Sequence, residues 1–198
     1  MIEIMGVVGA GKSTLSKLLS SRENLPLFPE PVESNPYLTE YYKEPEKYAF
    51  NMQLFLLHSR FRQALEAEKL PQCVMDASIR VNDIFSYLQF KTGIMNSIDY
   101  QVYSDISNTY KSMLMPPDLV VYLQCSPQVS VNRIMKRNRT SELVAPLQYW
   151  YQLNQVYEEW YEGYKDSKKI CINVDTIDFV RQEDEEDYIL DCILEALN

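Results

Sequence analysis

The chain has one histidine, four scattered cysteines, no surplus of positive charge and no long apolar run, and each shortage removes a class of function. With 19 Lys and Arg against 28 Asp and Glu, the formal net charge is -9, so basic groups would have to outweigh a general repulsion before a polyanionic duplex could bind. A nucleic-acid polymer is therefore not an expected partner, whereas a small anionic substrate held by a few focused basic groups is allowed. Cys73, Cys125, Cys171 and Cys192 form no CxxC pair and no Cys/His ligand spacing, which argues against a zinc site or a disulfide framework and for buried free thiols. The start of the chain lacks a basic segment followed by an apolar stretch of signal-peptide length, and no run approaches bilayer-spanning length. A cytoplasmic protein without membrane contact is expected. His58, alone of its kind, has no partner that would make it a catalyst and reads as a helical side chain. Internal repeats and low-complexity linkers are absent as well, and 198 residues at 46% hydrophobic content suit one domain over 1–198.

What is present is an alternation of apolar runs and helical patterns. Residues 2–5 (IEIM) end in a glycine loop, and 13–20 place Leu15, Leu18 and Leu19 at helical spacing. Further runs of strand length are CVMD at 73–76, DLVVYLQC at 118–125 and the β-branched KICINVD at 169–175, with another strand ending near Glu30. Helical patterns fill 46–68, with Phe50, Leu54, Leu57, Phe61 and Leu65 on one face, then 98–114, 127–138 and 146–164. The acidic stretch 181–187 reads as a first turn or loop before a C-terminal helix. Strands alternating with helices predict an α/β fold with a parallel sheet covered on both faces.

Gly6, Gly11, Lys12 and Ser13 match G-x-x-x-x-G-K-[ST], with Gly9 inside the loop, and the match lies between a predicted strand and a predicted helix. Such a loop turns backbone N–H groups around phosphate oxygens, adds the positive end of the following helix, lets Lys12 reach the outer phosphates and offers the Ser13 hydroxyl to Mg²⁺. The predicted ATP contacts are thus Gly6, Gly9, Ala10, Gly11, Lys12, Ser13 and Thr14. Small size argues against motors, transporters and helicases, and the lack of an Asn/Thr-Lys-x-Asp stretch argues against a GTPase switch, which leaves small-molecule kinases. An acceptor needs a base, and Glu30, fixed in an extended conformation by Pro31 near the end of a strand, is placed to take a proton from a hydroxyl attacking the γ-phosphate. Arg133 and Arg137, four apart in an R-x-x-x-R-x-R run that ends at Arg139, share a helix face and can meet one anion.

The stretches GVVGAGKST, EPVESNPYL, YYKEPEKYAFNMQ, HSRFRQ, VMDASI and RIMKRNRTSE occur in one order over residues 1 to about 165. Together they resemble the deoxynucleoside kinase family, and its bacterial purine-preferring branch in particular. The resemblance implies a P-loop kinase fold with an arginine-rich lid around 133–145, and ATP- and Mg²⁺-dependent phosphorylation of the 5'-hydroxyl of deoxyadenosine or deoxyguanosine in nucleotide salvage. It makes Glu30 the general base, Tyr42 the partner of the sugar 3'-hydroxyl, and Gln53 and Arg60 readers of the base. It further implies that Arg133, Arg137 and Arg139 close over the transferring phosphoryl group, that Glu142 reaches toward the sugar, and that Asp178 and Phe179, in DTIDF, help to enclose adenine. A homodimer built on a helix pair is implied too.

Two positions depart from the family pattern. Asp76 is present as an acidic partner for Mg²⁺, but Ala77 stands where the family carries an arginine that holds the phosphates and the catalytic carboxylate; Arg80, three residues on, offers a substitute charge. Where the family has a base-reading aspartate, ungapped alignment puts Asn82, with Asp83 beside it. Two other readings follow: a deoxynucleoside monophosphate kinase that uses Arg80 near its acceptor, or a nucleotide-binding subunit with weak or no catalysis, for which Ala77 speaks.

Overall fold

The computed structural model describes residues 1–32, 34–138, 145–177 and 182–197, the side chain of Glu183 excepted. Five strands, β1 (Ile2–Gly6), β2 (Leu27–Phe28), β3 (Val74–Asp76), β4 (Leu119–Gln124) and β5 (Lys169–Asn173), form one sheet in the order β2-β3-β1-β4-β5. Every neighbouring pair is parallel, and Ile4 of β1 lies opposite Asp76 on one side and Val121 on the other. Strands buried on both faces read as continuous apolar runs, which is why β1 and β4 are plain in the sequence, while the strand expected near Glu30 is only the two-residue β2.

The helices are α1 (Lys12–Arg22), α2 (Leu38–Lys43), α3 (Pro45–Ala67), α4 (Arg80–Lys91), α5 (Ser97–Ser112), α6 (Pro127–Arg137), α7 (Leu147–Gly163) and α8 (Glu183–Leu197). Their ends obey local chemistry. Proline opens α3 and α6, where the missing N–H is harmless, and the Ser126 hydroxyl accepts from the Val129 N–H to cap α6. Asn96 caps α5 by accepting from the Asp99 N–H at 2.9 Å. Asn138 ends α6 in the left-handed region at φ 55°. From Glu183 onward the acidic stretch is the first turn of α8.

The main core lies between the sheet and its covering helices, with Ile2, Ile4, Leu15, Leu19, Val121, Leu123, Leu153 and Ile193 all fully buried. Burying each such side chain contributes about 1.5–3 kcal/mol before entropy is counted. A second cluster, Ala49, Leu57, Phe61, Ile79, Met95 and Tyr103, joins α3 to the helices beside it. The buried stripe of α3 differs from the apolar face of the sequence: Leu65 is exposed, while Gln53 and Arg60 are buried. The helix has turned its two polar site residues inward.

One charge pair is sealed in the core. Glu3, the second residue of β1, accepts from Arg80 Nη1 at 2.8 Å, and the Arg80 guanidinium lies 5.7 Å from the Tyr164 ring centre. Burial raises the Glu3 carboxyl above the usual carboxylate range, and Arg80 opposes that rise. Glu3 precedes Gly6 by three residues, about 10 Å of strand, so Arg80 is committed away from the phosphate loop and does not replace the arginine missing at position 77. The thiols also depart from expectation: all four are free and Cys73 and Cys125 are buried, but Cys192 is half-buried and Cys171, on the edge strand β5, is exposed. Among the described residues, no helix is long and apolar enough to cross a membrane.

Candidate active site

In a parallel sheet, ligands gather at the carboxyl ends of the strands. The β1–α1 loop leaves the sheet at that edge. Gly9 holds φ +86°, and a Cβ built on it would come within 2.8 Å of the Ser130 carbonyl oxygen, so no larger residue fits there. The Ser130 hydroxyl donates to the Val8 carbonyl at 2.7 Å, which fastens the loop to α6. Gly11, at φ 102°, leads into α1 without a side-chain cap. Among the described residues, no acceptor meets the N–H of Gly9, Gly11, Lys12 or Ser13, leaving a ring of donors at a helix N-terminus. Lys12 donates to the Val7 carbonyl at 3.2 Å. Desolvation pulls its ammonium below the usual lysine range, Glu30 and Asp76 push it back up, and Arg137 adds to the depression.

Asp76 closes β3 beside the loop. Burial raises its carboxyl above the usual range, and the Ser13 hydroxyl and Lys12 partly restore it. Its Oδ1 is buried and has no hydrogen-bond partner among the described residues. A hard oxygen donor next to a serine hydroxyl and a phosphate-binding loop suits a hydrated divalent cation such as Mg²⁺. Ala77 follows at φ 63° with its methyl group in the core, so this position supplies backbone geometry and no charge.

Opposite the loop, four residues from separate segments form one hydrogen-bonded chain. Glu30, two residues beyond β2, accepts from Arg60 Nη2 at 2.5 Å. Arg60, buried on α3, also donates through Nη1 to Asn82 Oδ1 on α4 at 2.5 Å. Asn82 Nδ2 in turn donates to Gln53 Oε1 at 3.3 Å, closing the chain back onto α3. The seven-residue spacing of Gln53 and Arg60 does bring both to the same side. Asp83 takes no part: its carboxylate accepts from Ser107 at 2.6 Å and Lys111 at 2.5 Å on α5. Tyr42, exposed, stands edge-on to Tyr41 at 5.6 Å, and the Tyr41 hydroxyl accepts from Gln89 at 3.0 Å.

Tyr157 of α7 is a neighbour that the sequence does not announce. It is buried and its hydroxyl is raised above the usual range by desolvation first, with Glu30, Arg60 and Asp76 all acting on it. Its spacing from Trp150 and Leu153 marks a buried stripe and says nothing of these charged neighbours. The two arginines of α6 diverge despite their shared face. Arg133 donates to the carbonyls of Val174 at 2.7 Å and Ile177 at 3.5 Å, beyond β5, while Arg137 is exposed and close enough to Lys12 to act on its charge. Arg139, Glu142, Asp178 and Phe179 lie outside the described residues.

A family model described as deoxynucleoside kinase matches residues 2–198. The chain is 32% identical over 206 aligned residues to the deoxyadenosine kinase of Lactobacillus acidophilus, an alignment spanning 100% of this chain and 96% of that one. It is 33% identical to the deoxyguanosine kinase of the same organism, spanning 100% of this chain and 90% of the relative. Among solved structures, a deoxyadenosine kinase from M. mycoides with bound dATP superposes with a TM-score of 0.86 at 33% identity, covering 97% of this chain and 98% of that chain. The likeness thus runs through the sheet, the phosphate loop and the acceptor side alike, and over that length it has one meaning: the chain has the P-loop kinase fold and belongs to the deoxynucleoside kinase family, enzymes that phosphorylate deoxynucleosides.

Proposed function

We propose that this chain transfers the γ-phosphoryl group of ATP to the 5'-hydroxyl of a purine deoxynucleoside, with Glu30 as the general base. The observation that carries the reading is the position of Glu30: Arg60 holds its carboxylate at 2.5 Å, and that same carboxylate acts on both Lys12 and Asp76 across the site. The base therefore stands between acceptor side and donor side, where a proton must leave the attacking oxygen. Glu30 takes the 5'-hydroxyl proton, the 5'-oxygen bonds to the γ-phosphorus, and the bond to the β–γ bridging oxygen breaks so that ADP leaves. Lys12 and the free N–H groups of the loop hold the donor phosphates, and Arg137, with Arg139, spreads the charge of the transferred group. Arg133 tethers the segment after β5 from which Asp178 and Phe179 would reach adenine. Tyr42 and Glu142 serve the sugar, and Gln53, Arg60 and Asn82 serve the base.

Ser13 and Asp76 are the residues that would hold Mg²⁺, whose charge neutralises the phosphate oxygens when bound. The missing arginine at position 77 is offset from across the pocket, because Arg60 supplies the guanidinium that Glu30 needs. Arg80, the cation a monophosphate acceptor would call upon, is paired with Glu3 instead, which weighs against the monophosphate reading. A cytoplasmic homodimer acting in nucleotide salvage completes the proposal.

The test is phosphate transfer from ATP with Mg²⁺ to each deoxynucleoside and each 5'-monophosphate, with Glu30→Gln alongside. Turnover of a purine deoxynucleoside that Glu30→Gln abolishes supports the reading. Turnover of monophosphates alone would replace it, and silence with ATP still bound would favour a non-catalytic subunit.

A further inference from the structure

We propose that Gln63, half-buried on α3, is a positioning residue for the phosphate transfer: it fixes the main chain that carries Glu30. The proposal rests on Glu30 being the general base, as read above, and names the residue that sets where that base stands. Glu30 lies between Pro29 and Pro31, neither of which has an N–H to give. Strand β2 ends at Phe28, so the ladder to β3 stops short of the base. Among the described residues, no acceptor meets the N–H of Glu30 or Val32 and no donor meets the Glu30 carbonyl. The bonds the stretch makes within itself lie at its far end, where the Ser34 hydroxyl donates to the Pro31 carbonyl at 3.0 Å and the Asn35 N–H to the Val32 carbonyl at 3.1 Å.

What holds the base from outside comes from α3. Gln63 Nε2 donates to the Pro29 carbonyl at 3.0 Å, and Arg60 Nη2 donates to Glu30 Oε1 at 2.5 Å. Three residues apart, the two side chains leave α3 on one face, so one takes the peptide before the base and the other takes its carboxylate. A carbonyl only accepts, which fixes the Gln63 amide with its nitrogen toward Pro29. Further along, Asn35 Nδ2 donates to the Met52 carbonyl at 3.1 Å, so the stretch is a span pinned at both ends to the same helix.

Arg60 alone does not fix the base. Buried and bound to Asn82 as well, its guanidinium stays in place, but a glutamate side chain has several torsions through which Oε1 can remain on that guanidinium while the chain at Glu30 shifts and Oε2 swings. Oε2 has no partner among the described residues, which leaves it to take the proton of the 5'-hydroxyl. A second fixed point at Pro29, one peptide away, removes the swing. The bond is exposed, so it adds little to the stability of the fold. Its weight falls on the geometry at the attacking oxygen, where a misplacement of about 1 Å can cost about 10²-fold in rate.

The experiment measures kcat, the KM for ATP and Tm, with Mg²⁺ and the deoxynucleoside the wild-type chain uses best. The variants are Gln63→Met, which keeps the length and loses the donor, and Gln63→Lys, which restores one, with Gln63→Met also placed in a Glu30→Gln chain. Gln63→Met is expected to lower kcat by about 3- to 10-fold, the weight of one exposed hydrogen bond, with the KM for ATP unchanged and Tm within about 4 °C. Gln63→Lys is expected to recover most of that loss. On the residual rate of the Glu30→Gln chain, Gln63→Met is expected to cost nothing further, because the carboxylate whose place it sets is gone. Full kcat in Gln63→Met, a larger fall in Tm, no recovery in Gln63→Lys, or an equal loss in the Glu30→Gln chain would each overturn the proposal and leave the kinase reading standing. A wild-type chain that phosphorylates no deoxynucleoside, or one that Glu30→Gln does not slow, would overturn both.

Discussion

The phosphate loop and the acceptor pocket face each other across Lys12 and Glu30, but they are made of different material. The loop is main chain, a ring of N–H groups fixed by Gly9, Gly11 and the start of α1, with Lys12 as its principal charged side chain. The pocket is side chain: Glu30, Gln53, Arg60 and Asn82 come from a loop, α3 and α4, and each depends on the next for its orientation. A main-chain site tolerates little change because its geometry is the fold itself. A side-chain site depends on each of its members, and a change at Arg60 or Asn82 reaches Glu30 or Gln53 through the bonds between them.

The largest separation between the two halves should come from Glu30→Gln. Removing the proton acceptor lowers kcat by about 10²- to 10⁴-fold, while the KM for ATP stays within error, since no loop donor is touched. Equal damage to ATP binding would mean that Glu30 belongs to the donor half. Arg60→Gln comes next: with the guanidinium gone, Glu30 and Asn82 lose their common partner, and kcat is expected to fall about 10²-fold. Arg60→Lys should recover part of that loss, because a point charge can hold Glu30 but cannot fork to Asn82 as well. A variant with full kcat would show that Glu30 needs no partner from α3. On the donor side, Gly9→Ala sets a methyl group 2.8 Å from the Ser130 carbonyl oxygen at a backbone angle that alanine resists. The KM for ATP should rise about tenfold, with the deoxynucleoside KM unchanged; the reverse pattern would break the division.

What could be read in advance follows the same line. A main-chain site leaves a motif in a contiguous stretch, so Gly6 to Ser13 were legible, as were β1 and β4, whose two buried faces write unbroken apolar runs. Helix α4 was not, because Arg80, Asn82, Ser86 and Gln89 are buried polar residues that erase its periodicity. Periodicity places the stripe of α3 a little rotated, since it counts Leu65 as core and is blind to the carboxylate that Arg60 meets 30 residues away. Arg80 looked like a spare charge by spacing alone; its partner Glu3 lies 77 residues earlier, inside a strand that reads as apolar. The resemblance to a family named Glu30, Gln53, Arg60 and Asn82 separately, but the bonds that link them join segments up to 30 residues apart and carry no local signal.

The smallest expected effect concerns Asp76, which touches both halves. Its carboxyl is raised by burial, against the pull of the Ser13 hydroxyl and Lys12. A raised value means that, in the range from the usual aspartate value up to the raised one, the folded chain holds more protons than the unfolded chain. The stability of the ligand-free protein therefore falls as pH rises through that range and stays lowered above it. Asp76→Asn keeps the shape and removes the charge, so its Tm should exceed that of the wild type at neutral pH, with the gap closing as the pH drops below the usual aspartate value. Catalysis should move the other way, with phosphate transfer lost while the fold is firmer. Thermal melts of the two proteins from acid to neutral pH, without nucleotide, test this directly. A wild-type Tm that climbs through the window, or a variant that melts lower at every pH, would mean that the Asp76 carboxylate is stabilised by its neighbours in the empty site and is not held at a cost for its ligand.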